Sequence, residues 1–285
     1  MNTFALFTKT VVRVGVVSKS SEEAQRAALL FVEKLSRRGV DNLKLIPLAN
    51  SDATELSSCD TIFTFGGDGT ILKTARVFVS STPLIVGVNY GHLGFLAEVE
   101  PPQVDEALNK VLDGSYSFYT INRMVISVVK EGKRFTSPPI MNEVYFAPHL
   151  QARMVTLKID VPDVFVYKGR MDGLLLSTAL GSTAYSLSAG GPIVDPDSDV
   201  NIVTPMSPIN IALRPVVIDR RKSVNIVNVD TEPIALIVDG VKWLDLGVGE
   251  YAEVSGFEYP VKLYRTRTDL LKKLFDKRLS WNHSP

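Results

Sequence analysis

The stretch FTFGGDGTILKTAR, Phe63 to Arg76, crowds three glycines around a single carboxylate, Asp68. An apolar run precedes it and a helix-like run follows, which places the loop at the carboxyl edge of a parallel sheet. Ligands of open α/β sheets bind at that edge. Glycines let backbone N–H groups approach phosphate oxygens closely, and the helix that follows turns its positive end towards an anion. A carboxylate left in such a loop would repel phosphate unless it has another task, such as accepting a proton from an attacking hydroxyl. A tight turn with Asp68 as a helix cap is the plainer reading, and the loop alone leaves both open. It is neither a Walker A loop, since no Gly-Lys-Ser/Thr follows, nor a dinucleotide fingerprint.

Other segments could share that chemistry. GVNYGHLGFL, Gly87 to Leu96, is a second glycine loop after a strand, with Asn89 where the fingerprint would need glycine. By itself it reads as a structural turn. Its His92, like His149 and His283, has no metal-ligand spacing with another histidine. In RMDGLLLSTALGSTAYSLSAGGPIV, Arg170 to Val194, small and hydroxyl residues surround Tyr185, supplying donors and acceptors beside a flat ring that suits a base or an amide ring. A flexible Ser/Gly linker would not hold Tyr185, Leu187 and Pro192 at such intervals. MNEVYF opens a strand with Asn142 and Glu143, an amide and a carboxylate able to read a ribose diol or an amino group.

The elements that position these residues fall into two textures. VVRVGVV (Val11 to Val17), LKLIPL (Leu43 to Leu48), TIFTF (Thr61 to Phe65) and LIVGV (Leu84 to Val88) read as strands. Helical patterns alternate with them. The first has a Ser20/Glu23 capping box and one face of Ala24, Ala27, Ala28, Phe31 and Leu35. Such alternation predicts a parallel sheet covered on both faces, closing with the helix Gln103 to Gly114. After about Tyr116 the pattern changes to short strand-like runs broken by Gly, Pro and Asp, among them MVISVVK, MVTLKID, VFVYK, GLLLS, VNIVNV, IALIVD, YAEVSG and VKLYR. That predicts a mostly β second domain, a sandwich or related closed arrangement. TDLLKKLFDKRL then returns to an amphipathic helix with Leu270, Leu271, Leu274 and Phe275 on one face.

Composition bounds the partners. A chain of 285 residues is long for one domain, so two are expected. Lys plus Arg equals Asp plus Glu at 31 each, which gives no bulk argument for nucleic acid or an anionic membrane and leaves room for a local phosphate pocket. With Cys59 as the lone cysteine there is neither an internal disulfide nor a thiolate zinc site; a buried small hydrophobe in a reducing cytoplasm is expected. No window reaches the uncharged apolar length of a membrane span, and the apolar start is interrupted by Lys9 and Arg13.

Taken together, GGDGT, NYGHLGFL, the Asn142-Glu143 pair, DGLLLSTALGSTAYSLSAGGPI and TPMSPINIALRP resemble the NAD kinase family, in order from about Val11 to Asp239. The form of GGDGTILK and the later Asp-Gly pair look closer to its archaeal members. GSTAYSLSAGGP is highly specific, whereas GGDGT is also similar to lipid-kinase and phosphofructokinase loops. The resemblance implies a Rossmann-like α/β domain (1–115), a β-sandwich-like NAD-binding domain (116–265) and a C-terminal helix (266–285) returning to the first domain. It implies transfer of a terminal phosphoryl group from ATP or polyphosphate to the 2′-hydroxyl of the adenosine ribose of NAD, giving NADP. Mg²⁺ or another divalent metal would be held mainly by the nucleotide phosphates. Asp68 becomes the base, with Gly69 against the substrate and Lys73 offering charge to phosphate. Asn142 and Glu143 would hold the adenosine part, and Arg170 precedes Asp172, the partner of the nicotinamide amide. Thr183, Ala184, Tyr185, Ser186, Leu187 and Ser188 would wrap the dinucleotide.

The resemblance further implies a homodimer or homotetramer, while the lone cysteine, the balanced charge and the lack of a long apolar window lead to the expectation of a cytoplasmic protein with no nucleic-acid or membrane partner. This chain departs from the family pattern at Ala179-Leu180, where many members have Pro-Thr, and at Val241, where a polar residue is common. Two rival readings are a lipid kinase sharing the loop and a non-catalytic NAD(P) sensor. The polar STAYSLS segment argues against the first, and retention of Asp68 argues against the second.

Overall fold

The computed structural model describes residues 12–40, 46–47, 53–91, 95–149, 153–266, 271–272 and 275. It divides into two compact units, one up to Phe118 with Lys262–Thr266, the other Tyr119–Val261.

In the first unit the chain runs β1 (Val14–Ser18), α1 (Glu22–Arg37), β2 (Ile46–Pro47), α2 (Ala53–Ser57), β3 (Thr61–Gly66), α3 (Asp68–Ala75), β4 (Leu84–Asn89) and α4 (Val104–Asp113). The strands lie in the order β2-β1-β3-β4, all parallel. Every residue of β1 and β3 is buried, as a sheet with both faces covered requires. Phe63 and Phe65 pack on Phe31, Ala24, Ala28 and Leu35, the apolar face of α1. Cys59 is buried and packed with Val17, Leu56, Ile62 and Phe78. β3 and β4 pair so that Gly66 stands opposite Asn89. That register starts the two glycine loops side by side at the carboxyl edge of the sheet.

Two local expectations are corrected here. The residue that caps α1 is Ser21, without a side-chain cap bond, so no Ser20/Glu23 box forms. The entry to that helix is held instead by tertiary bonds of Lys19, whose N–H donates to the Phe65 carbonyl and whose ammonium donates to the Tyr90 carbonyl. α3 begins at Asp68 itself, with Gly67 as its cap residue.

The second unit is built from most of β5 (Ser117–Lys130), β6 (Lys133–Thr136), β7 (Glu143–Pro148), β8 (Val155–Val161), β9 (Phe165–Met171), β10 (Gly173–Thr178), α5 (Tyr185–Ser188), β11 (Val200–Met206), β12 (Val216–Asp219), β13 (Val224–Asn228), β14 (Ile234–Val238), β15 (Val241–Leu246) and β16 (Tyr251–Arg265) up to Val261. One antiparallel sheet has the order β12-β11-β10-β7-β14-β15. The other places β16, β13, β8 and β9 in antiparallel sequence. Val144, Phe146, Leu174, Leu176 and Leu236 of the first sheet share one core with Leu157, Ile159, Ile226 and Val254 of the second. Each such side chain contributes roughly 1.5–3 kcal/mol by leaving water. The alternating burial along β8 is the period-two pattern of a strand with one face in a sandwich core.

β5 starts seven residues before MVISVVK, and YAEVSG and VKLYR belong to one strand, β16, whose last residues from Lys262 on are part of the first unit, where Lys262 and Leu263 pair parallel with β4. The expected strand Leu43 to Leu48 is described only at Ile46–Pro47. The apolar start, His92, His283 and most of the C-terminal helix lie outside the described residues.

Candidate active site

In the first unit two glycines are required by contact, Gly66 at the end of β3 and Gly91 in the second loop. A Cβ on Gly66 would collide with the Thr70 side chain, and one on Gly91 would lie 3.2 Å from the Cα of Gly67. The two loops therefore touch backbone to backbone. Asn89 folds the second one: its Oδ1 accepts the N–H of Gly91 at 3.1 Å, and its Nδ2 donates to Glu100 Oε1 at 3.2 Å. The N–H of Tyr90 donates to the Gly66 carbonyl at 3.0 Å.

Asp68 is the junction. Its Oδ2 accepts the N–H of Phe95 at 3.0 Å, and its Oδ1 accepts those of Leu96 at 2.8 Å and Ala97 at 3.3 Å. The carboxylate does not cap its own helix; the second loop holds it. Charge-assisted bonds of this kind are roughly twice as strong as neutral ones, so its position is well determined. Gly69 and Lys73 are exposed, and nothing lies within 4 Å of a Cβ built on Gly69. Phe95, Leu96, Ala97 and Lys19 are residues that sequence reasoning missed. Their bonds span 27 or more positions, and no local pattern announces them.

The second unit gathers a different group. At the start of β7, Asn142 and Glu143 are half-buried. The Asn142 carbonyl accepts the N–H of Thr178 at 2.9 Å, and Thr178 Oγ1 donates to the Met141 carbonyl at 2.5 Å. A Cβ on Gly181 would fall far inside contact distance of the Asn142 carbonyl, so glycine there lets the GSTAYS turn lie on β7. Burial first, and then the Asp239 charge, push the Glu143 carboxyl up to about 7, against a backbone bond from Tyr185 that draws it down.

Tyr145 stands two residues along the same face of β7 and meets Tyr185 edge to face, ring centroids 5.5 Å apart. Burial, then Tyr185 and Asp172, raise its phenol above the usual tyrosine range. Tyr145 was absent from the sequence reading, although period two from Glu143 was the signal that could have found it.

Within GSTAYSLS the roles divide. Thr183 is buried and donates to the Leu180 carbonyl at 3.2 Å. Ser186 is buried, its hydroxyl 2.9 Å from that of Thr204. Tyr185 is 43% exposed, Ser188 is exposed, and Ala184 and Leu187 are half-buried. Buried hydroxyls shape the turn, and exposed groups are what a ligand meets. Ala179 and Leu180 are both buried, so the departure from Pro-Thr lies in the core. Asp172 is exposed, and Arg170 is exposed on β9 with its carbonyl bonded to the N–H of Ile209.

A glycine-cradled carboxylate at a helix N-terminus, together with a polar and aromatic cluster suited to a nucleotide, defines a nucleotide-dependent phosphotransferase class. Residues 5–116 match the ATP-NAD kinase N-terminal domain, and residues 141–266 match the ATP-NAD kinase C-terminal domain. The NAD kinase of Chlorobium phaeobacteroides is 33% identical over 283 residues, covering 95% of this chain and 98% of that protein. The chain belongs to the ATP-NAD kinase family. An NAD kinase from Archaeoglobus fulgidus, solved in complex with ATP, is 26% identical with a TM-score of 0.75, covering 93% of this chain and 98% of that one. Yeast NADH kinase complexed with NADH shares the fold, with a TM-score of 0.85 at 23% identity over 96% of this chain and 89% of that one.

Proposed function

We propose that the chain is an NAD kinase that moves the terminal phosphoryl group of ATP to the 2′-hydroxyl of the adenosine ribose of NAD, giving NADP and ADP. Family membership and the relatives' names support the acceptor, and the ATP complex of the Archaeoglobus fulgidus enzyme supports the donor. In the transfer the ribose oxygen forms a bond to phosphorus while the bridging bond to ADP breaks. The hydroxyl proton passes to the Asp68 carboxylate late in the step. Such general-base help is typically ~10²- to 10⁴-fold, and the larger share comes from alignment and charge neutralisation. The observation that carries this reading is the placement of Asp68, a carboxylate at the first turn of α3 in a loop stripped of other side chains.

Glu143, Asn142, Tyr185 and Asp172 are assigned to the dinucleotide, with Ala184, Leu187 and Ser188 lining its path and Thr183 and Ser186 shaping the turn beneath. Gly69 and Lys73 face phosphate, and Arg170 flanks the nicotinamide end. Among the described residues no group of three or more His, Cys, Asp or Glu could hold a metal ion. Mg²⁺ or another divalent metal would be held mainly by the nucleotide phosphates and supply positive charge to them. Among the described residues no helix is long and apolar enough to cross a membrane. The cytoplasm and a homodimeric or homotetrameric assembly complete the reading; the first rests on the lone buried cysteine, the second on the family resemblance alone.

The test is formation of NADP when the purified chain is incubated with NAD, Mg²⁺ and either ATP or polyphosphate. NADP from ATP is expected. A protein that binds NAD and makes no NADP with either donor would be a sensor.

A further inference from the structure

The tight turn between β14 and β15 carries Asp239 and Gly240, with φ of 44° and 79°. That left-handed pair is the usual form of a two-residue hairpin turn, for which Asn-Gly or Gly-Gly would serve equally well. Here the turn residue does more than bend the chain. Asp239 Oδ2 accepts the N–H of Met141 at 3.0 Å, and Oδ1 accepts those of Asn142 at 2.8 Å and Glu143 at 3.1 Å. In return the N–H of Asp239 donates to the Glu143 carbonyl at 2.9 Å. Four bonds thus tie one turn residue to three consecutive residues of the strand start.

The arrangement sets two carboxylates close together. Glu143 Oε2 is shut away from solvent and has no hydrogen-bond partner among the described residues. A fold selected only for stability would avoid such a pair, because a buried polar atom without a partner costs free energy and a neighbouring like charge adds to it. The groups facing Glu143 are Asp239 from the β14–β15 turn and the backbone N–H of Tyr185 from α5; Ser177, its partner in register on β10, is neutral.

We infer that Asp239 is a positioning residue for the acceptor nucleotide, holding the backbone of Met141–Glu143 so that Asn142 and Glu143 are presented to the ligand. This rests on the reading that those two side chains hold the adenosine part of NAD. The charge of Asp239 has a second effect, since it helps keep the Glu143 carboxyl up to about 7. A carboxyl poised there can both donate to a ring nitrogen and accept from an amino group, which matches one edge of adenine.

Titration calorimetry with NAD between about pH 5.5 and 8.5 tests the assignment, because it reads binding at each protonation state. The proteins are the unmodified chain, Asp239→Asn, Asp239→Gly and Glu143→Gln. Glycine keeps the left-handed backbone, so the turn survives in at least one variant, and thermal melts confirm folding. Both Asp239 variants are expected to bind NAD about tenfold or more weakly. The midpoint of the pH dependence, near neutral in the unmodified protein and absent from Glu143→Gln, should move to lower pH, because removing the Asp239 charge makes Glu143 easier to ionise. Folded variants with affinity within about twofold of the unmodified protein would overturn the inference. So would weaker binding with an unmoved midpoint, which marks a purely structural bond. No NAD binding by the unmodified chain would sink the functional reading itself; normal binding there, with unaffected variants, sinks this inference alone.

Discussion

The Asp68 carboxylate holds the second glycine loop through three amide donors, and it is assigned the ribose proton as well. Asparagine separates the two tasks only in part. One oxygen remains to accept from Leu96 and Ala97, but an NH₂ group then faces the Phe95 amide, and an amide is not a useful base at this position. Asp68→Asn is therefore expected to lower kcat by about 10²-fold or more. It should also lower the melting temperature, because a displaced amide partner costs about 1–3 kcal/mol. Turnover and a thermal melt on the same preparation check both. Near-normal turnover with a lowered melt would leave Asp68 as a loop anchor only. The carboxylate was legible in the sequence, since three glycines around one charge is a local pattern. Its anchors were not, because Phe95 to Ala97 come from a distant part of the chain and act through backbone atoms that carry no residue code.

At the scale of elements, the parallel sheet and the sandwich were both readable from periodicity, which reports burial on one face or two. Boundaries were less readable where burial changes along one strand. β5 has exposed residues at its start and a buried middle, so its first residues did not look like strand. Nor did local pattern reveal that the GSTAYS turn rests on β7, where glycine at 181 is demanded by the Asn142 carbonyl. Gly181→Ala is expected to push that turn off Asn142. The overpacking should cost at least about 1–3 kcal/mol and weaken NAD binding, since Asn142 and Tyr185 belong to the two elements pushed apart. Chemical denaturation and NAD titration of the variant measure this. Unchanged stability and affinity would show that the turn can move without consequence.

For the molecule as a whole, the question is which acceptors it accepts. The reacting hydroxyl lies in the adenosine half of NAD, yet Asp172 and the exposed part of the 183–188 turn are assigned partly to the nicotinamide half. Asp172 is exposed and its charge helps raise the Tyr145 phenol, and the ring of Tyr145 meets that of Tyr185. Contact energy from the far half of the ligand can hold the ribose in line with the donor phosphate. Removing that half should then slow the reaction as well as weaken binding. AMP and adenosine are accordingly expected to be phosphorylated far less efficiently than NAD. Asp172→Asn should narrow the difference by impairing NAD use while leaving AMP use as it was. The measurement is kcat/KM for NAD and AMP in both proteins; equal use of the two acceptors by the unmodified enzyme would show that the nicotinamide half contributes nothing to alignment.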